Sequence, residues 1–196
     1  MKKSTITLVS VIAVLAVLFL WGTSNYNNLV TSREDVNSQW ANVESQYQRR
    51  SDLIPNLVST VKGYATHESS TLEGVVAARA KATQITIDPK NLTPEKLQQY
   101  QEAQGQVSSA LGKLLMITEN YPELKANQNF LELQSQLEGT ENRISVERSR
   151  YNETAKNYDI AIKRFPKSIV ASICGFTDKP YFKSEEGAEK APSVKF

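Results

Sequence analysis

Arg50, Glu141 and Arg148 stand where apolar side chains belong. In the first long helical pattern Leu29, Arg33, Val36, Trp40, Val43, Tyr47, Arg50, Ile54, Leu57, Val61, Tyr64 and Glu68 recur at gaps of four and three, the rhythm of a helix that buries one face along a bundle seam. The last pattern, Phe130, Gln134, Leu137, Glu141, Ile144, Arg148, Tyr151, Ala155, Tyr158, Ile162 and Phe165, repeats it. Charges on such positions are rarely buried unless paired. If the two helices run antiparallel with facing ends near Ala65 and Asn127, Arg50 comes within a turn of Glu141, and Glu44 comes opposite Arg148. The chemistry open to these residues is ion pairing in a poorly hydrated layer. Two readings follow: a polar cluster that binds something or switches, and a register lock, the better-attested use of buried polar seam residues.

Pro55 lies inside the first pattern, within a few residues of Arg50. It removes the N–H that the Ser51 carbonyl would accept from, and its ring presses on the preceding turn. A kink is the expected result, with Arg49, Arg50 or Asn56 supplying the missing donor. The other reading is a surface-facing proline that merely curves the helix around its partners.

Nothing else in the chain suggests catalysis. His67 is the single histidine, and its "HESST" context is not a zinc-binding H-E-x-x-H. There is no phosphate loop or dinucleotide fingerprint. No catalytic, cofactor-binding or metal-ligating residue is expected. Lys and Arg number 23 against 21 Asp and Glu, too balanced for a nucleic-acid footprint. The lone Cys174 sits within "IVASICGF" and reads as a small buried apolar residue.

The elements that must position the charged seam residues are helices, and the fold class is all-α. Strand-like alternation is absent, and six of the seven prolines fall where helical patterns stop or restart. The first helix breaks or bends near residues 66–70, where Ser70 and Glu73 match a capping box. Thr93 caps a helix opened by Pro94, and Asn127 caps a helix over 127–165 that Pro166 ends. The reading is an antiparallel bundle over residues 25–166, four helices favoured and three long helices the alternative. Residues 167–196 are a C-terminal segment whose part from 177 onward, rich in Lys and Glu, reads as a flexible tail, extended or disordered. Its removal is expected to leave the thermal transition nearly unchanged.

Behind a short flank, residues 1–4, lies a transmembrane helix over residues 5–24. Its apolar run, residues 5–22, makes ~27 Å of helix at ~1.5 Å per residue, enough to reach across a bilayer core. It exceeds a signal-peptide core and lacks an A-x-A-like cleavage site. Lys2 and Lys3 precede the span, whereas the first charges after it are Arg33, Glu34 and Asp35. By the positive-inside rule the N-terminus is cytoplasmic and the bundle lies outside.

Two blocks, "QRRSDLIPNLV" and "LEGTENRISVERSRYN", with "GFTDKPYF" and the terminal "PSVKF", resemble the LemA family of bacterial membrane-anchored proteins. The likeness runs over residues 26–196. It implies an antiparallel helical bundle behind one N-terminal span, no established enzymatic activity, and no catalytic residues to carry over. A relative takes part in building magnetosome membranes, and members are often encoded beside membrane proteases. The expected protein is a single-pass component of the bacterial inner membrane, bound to the bilayer through residues 5–24. It would be a non-enzymatic scaffold or adaptor that binds partner proteins or organises membrane. The alternative is an accessory subunit of a membrane enzyme such as a protease. Self-association is a further possible partnership, and no cofactor or nucleic acid is expected.

Overall fold

The computed structural model of the chain describes residues 3–183. Among them there are helices and turns but no strand. The helices are α1 (Lys3–Lys62), α2 (Ser69–Thr83), α3 (Pro94–Thr118), α4 (Pro122–Lys125), α5 (Gln128–Lys163) and α6 (Lys167–Ile173), with a 3-10 turn at Pro89–Asn91. Pro94 occupies the first turn of α3, where its missing N–H costs nothing, and Thr93 Oγ1 accepts from the Lys96 N–H. Asn127 Oδ1 accepts from the Phe130 N–H at the start of α5.

Helix α1 is one unbroken element of 60 residues, ~90 Å long at ~1.5 Å per residue. Its N-terminal stretch is long and apolar enough to cross a membrane, and from Ile6 to Leu20 every side chain is exposed. The remainder of α1 is the spine of the bundle. Helix α5 runs antiparallel along it, with Asn127 against Tyr64, Glu141 against Arg50, and Tyr151 against Trp40.

The apolar core falls into two clusters. The distal one joins Ile54, Leu57 and Val61 of α1 to Leu72 and Val75 of α2, Val107, Leu111 and Leu114 of α3, and Phe130 and Leu137 of α5. There the bundle has four helices. Helix α2 is only 15 residues long and does not reach the other half. In the cluster nearer the apolar N-terminal stretch, Trp40, Tyr47, Tyr100, Tyr151 and Tyr158 pack with Ile87, Leu92 and Phe182. Helices α1, α3 and α5 are joined there by extended chain in the place a fourth helix would fill. A four-helix and a three-helix arrangement thus follow one another along the same spine.

Phe182 overturns the reading of residues 177–183 as part of a flexible tail. It is 5% exposed and stacks on Trp40, with ring centroids 5.7 Å apart and planes 6° from parallel. Tyr151 meets it edge-on at 5.3 Å. Asn152 bonds the Phe182 main chain in both directions, at 2.8 and 2.9 Å. The buried Asp159 carboxylate accepts from the Lys179 N–H at 3.0 Å and the Tyr181 hydroxyl at 2.6 Å. Low apolar content hid the dock because it depends on one buried aromatic ring plus polar bonds from the main chain and from Lys179 and Tyr181. The expectation for residues 184–196 lies outside the described residues.

Two further expectations fail. Helix α2 begins at Ser69, with Glu68 in the cap position and no side-chain capping bond. Ser70 is therefore inside the helix, and Glu68 instead accepts from the Tyr121 hydroxyl at 3.2 Å. Cys174 is exposed, because the short α6 buries only Val170 and Ala171. The helical glycines Gly74, Gly105, Gly112 and Gly139 do not mark close helix contacts, since a Cβ at any of them would meet nothing within 4 Å.

Burial in the aromatic cluster holds the hydroxyls of Tyr100 and Tyr151 well above the ordinary tyrosine range. The folded chain keeps these protons where the unfolded chain releases them, above pH ~10. This contribution to stability is complete below that pH and is lost as the pH rises past it. Among the described residues the buried Tyr151 hydroxyl has no hydrogen-bond partner. Tyr151→Phe should thus leave the thermal midpoint at neutral pH unchanged or higher, and should move alkaline unfolding to higher pH. Melting curves followed with tyrosinate absorbance test both points; an unaltered alkaline transition counts against this origin.

Candidate functional site

Between the two apolar clusters lies a polar layer centred on Arg50, which is 2% exposed. Arg50 Nη1 donates to Glu141 Oε1 and to Ser108 Oγ, each at 2.7 Å. Nη2 donates to the Gln104 carbonyl at 3.0 Å and to Gln104 Oε1 at 2.6 Å. The guanidinium also lies over the Tyr47 ring, 5.1 Å from its centroid. One side chain thus ties α1 to α3 and α5 at a single level. Glu141 is 40% exposed, so the cation is buried while its counter-ion sits at the rim.

Pro55 is exposed, and α1 continues through it. The carbonyl it frees, that of Ser51, accepts from Arg79 Nε of α2 at 2.8 Å. The donor is therefore none of Arg49, Arg50 and Asn56. The proline and the α1–α2 contact form one device: the missing N–H leaves an acceptor open, and the neighbouring helix supplies the donor. Arg79→Met should cost ~1–3 kcal/mol, the penalty for an unpaired buried polar group. In a Pro55→Ala background the restored N–H serves the same carbonyl, so Arg79→Met should cost much less. Denaturant unfolding of the four proteins measures this, and equal losses in both backgrounds would show that Arg79 acts in some other way.

The expected partnership of Glu44 with Arg148 is not what the structure presents. Arg148 Nη2 donates to the Lys183 carbonyl at 2.8 Å, and its guanidinium lies 5.1 Å from the centroid of Phe182. Phe182 wedged against Trp40 and Tyr151 draws Arg148 to the C-terminal segment. Glu44 is exposed at the edge of a cavity of about 240 Å³ between α1, α2 and α3. Tyr47, Ser51, Arg79, Tyr100 and Gln104 also line this cavity.

The contacts of the layer gather around the Arg50 cation, and among the described residues they do not pair a nucleophile with a base. Ser108 is engaged by Arg50, and His67 is exposed in the α1–α2 connection, far along α1 from the layer. Among the described residues no group of His, Cys, Asp and Glu is placed to hold a metal ion. The residues that sequence reasoning passed over are Gln104, Ser108, Arg79 and Asp159. Gln104 did carry a signal, as a polar side chain on the apolar seam of α3.

A second surface lies near the far end of the bundle. The end of α1 and the outer face of α2 form an apolar groove of about 500 Å³ whose walls include Val58, Lys62, Leu72, Glu73, Val76 and Ala77. Val76 is half exposed there.

Comparison with known proteins gives a consistent result. A family model described as the LemA family matches residues 39–196. Magnetosome protein MamQ 1 of Paramagnetospirillum magneticum is 29% identical over 201 residues, covering 94% of this chain and 72% of its own. Magnetosome protein MamQ of Magnetospirillum gryphiswaldense is 27% identical over 206 residues, covering 96% and 74%. Protein LemA of Metamycoplasma hominis is 22% identical over 160 residues, covering 82% and 69%. None of these names is that of an enzyme.

Proposed function

The chain belongs to the LemA family, and on that premise we propose that it is a non-enzymatic scaffold, a rigid post that holds a protein partner at a set height above a membrane. The carrying observation is the continuity of α1, which passes without a break from the apolar stretch into the spine of the bundle. A flexible linker would leave the bundle free to reorient, whereas a helix transmits position and orientation. From Gly22, where the apolar run ends, to Val58 at the groove is ~54 Å of helix. Apolar surface of this kind marks interaction sites more often than it marks idle surface. The groove of α1 and α2 is the adaptor's docking surface in this reading. The MamQ relatives, named as magnetosome proteins, support a role at a cell membrane. The bilayer is the bacterial inner membrane, with the N-terminus in the cytoplasm and the bundle outside, on the strength of Lys2 and Lys3.

The test is photo-cross-linking in cells. A photoreactive residue at Val76 should give one discrete adduct, and the same residue at Met116, on an exposed face of α3 away from the groove, should give none. Peptide mass spectrometry of the adduct separates the partners: peptides of this chain alone identify self-association, and peptides of a membrane protease identify the accessory-subunit alternative. No adduct at Val76 beyond that at Met116 would overturn the groove as the docking surface.

A further inference from the structure

The membrane-proximal end of the bundle carries an unusual concentration of exposed apolar side chains. Phe165 is 77% exposed and Ile173 79%, with Ile169 half exposed between them. Lys163, Arg164 and Lys167 flank Phe165. Elsewhere in a soluble bundle such a set would be a liability. Its location gives it a partner. Helix α5 runs antiparallel to α1, so its C-terminal end, with Phe165 just beyond it, points back toward the apolar stretch of α1. Helix α6 buries Val170 and Ala171 in the same cluster as Leu29. Phe176 meets Tyr26 edge-on at 5.8 Å, and the Arg33 guanidinium covers the Phe176 ring at 5.2 Å.

The height of this end can be read along α1. Tyr26 and Leu29 lie ~6 and ~10 Å of helix beyond Gly22. The polar interface of a bilayer occupies roughly 5–8 Å on each side of the hydrocarbon core. The base of the bundle is therefore level with the lipid headgroups. Side chains that project from it reach the boundary where bulky apolar residues and basic residues are both at home.

We propose that Phe165, Ile169 and Ile173 insert into the outer margin of the bilayer that α1 spans, with Lys163, Arg164 and Lys167 against its phosphates. Lys163 is also paired with Asp178 at 2.6 Å, so Arg164 and Lys167 are the freer cations. This second membrane contact fixes the tilt and rotation of the bundle about α1, which one helix crossing a bilayer leaves unset. The inference rests on the anchoring by α1 proposed above and goes beyond it.

The full chain in vesicles of mixed zwitterionic and anionic phospholipid provides the test. Cys174 is the only cysteine and is exposed at the end of α6, so a nitroxide can be attached there directly. In a Cys174→Ser background, nitroxides at Phe165→Cys and Ile173→Cys probe the insertion, Met116→Cys reports the aqueous end, and Val14→Cys reports the span. Collision rates with oxygen, which concentrates in hydrocarbon, and with a water-soluble nickel chelate give depth. Labels at residues 165 and 173 should favour oxygen over nickel at least several-fold more than the label at 116. In the Phe165→Asp, Ile173→Asp double variant the label on Cys174 should move toward water with an unchanged thermal midpoint, because both positions are exposed. An aqueous label at 14 would defeat the anchoring itself, and the insertion with it. A deep label at 14 with aqueous labels at 165 and 173 would defeat the insertion alone, as would protection from both reagents, the mark of a protein contact.

Discussion

Phe182→Ala will lower the thermal midpoint of the domain by on the order of 10 °C. Truncating a buried phenylalanine to alanine costs ~3–5 kcal/mol, and a domain of this size loses roughly 2–4 °C per kcal/mol. The ring is sandwiched among Trp40, Tyr151 and the Arg148 guanidinium, so its removal opens a cavity between two rigid aromatic side chains. The loss extends beyond the ring. Phe182 brings with it the main-chain bonds to Asn152, the Lys183 carbonyl contacts with Arg148 and Gln101, and the Asp159 contacts with Lys179 and Tyr181. Freed from the dock, residues 177–183 should become an early site of proteolysis. Differential scanning calorimetry with limited digestion of the wild-type and variant chains decides the matter. A midpoint within about two degrees of wild type would mean that the C-terminal segment contributes no more than an exposed loop does, and that the aromatic cluster is closed by its helices alone.

This segment also marks the boundary of what could be read from the residues in order. Leu29, Val36, Trp40, Ile54 and Leu57 declared themselves by helical spacing, because a long helix turns one buried face into a regular sequence pattern. Setting the facing ends of α1 and α5 near Ala65 and Asn127 gave their antiparallel register, and with it the neighbourhood of Arg50 and Glu141. Thr93 and Asn127 were legible as caps because a cap is a local event. Phe182 gave no such pattern. An extended segment docks by one apolar ring and a set of polar bonds, and its sequence keeps the polar composition of a loop. Arg79 was hidden for a related reason: the acceptor opened by Pro55 is filled across space from another helix, whereas local reasoning looked to residues beside the proline. Cys174 misled because an apolar neighbourhood in sequence, "IVASICGF", does not bury a residue on a helix as short as α6. The polar cavity beside Arg50 depends on the angle at which α2 meets α1 and α3, which no single-element pattern contains.

The Arg50–Glu141 pair should show strong coupling, with unequal single losses. Arg50 is buried and Glu141 is 40% exposed, so the two charges differ in what their removal leaves behind. Glu141→Leu leaves a buried guanidinium without a counter-ion. Breaking a buried pair in this way costs up to ~3–5 kcal/mol; the oxygens of Gln104 and Ser108 and the Tyr47 face still solvate the cation, which places the loss near the lower end. Arg50→Met leaves a carboxylate that can turn to water, and its main cost is the stranded Gln104 side-chain oxygen, ~1–3 kcal/mol. In the double variant there is no buried cation to neutralise, so Glu141→Leu should become nearly neutral once Arg50 is gone. A double-mutant cycle read by denaturant unfolding isolates that coupling. Simple addition of the two losses would show that the 2.7 Å contact carries no net interaction. Because an apolar replacement of a buried ion pair can be neutral or stabilising, the double variant also separates the two roles open to the layer. A stable double variant that still forms the Val76 adduct assigns the layer to register alone. A stable double variant that loses the adduct assigns it to the presentation of the α1–α2 groove, since Arg79 and Ser51 join α2 to α1 one turn of helix from Arg50 or less.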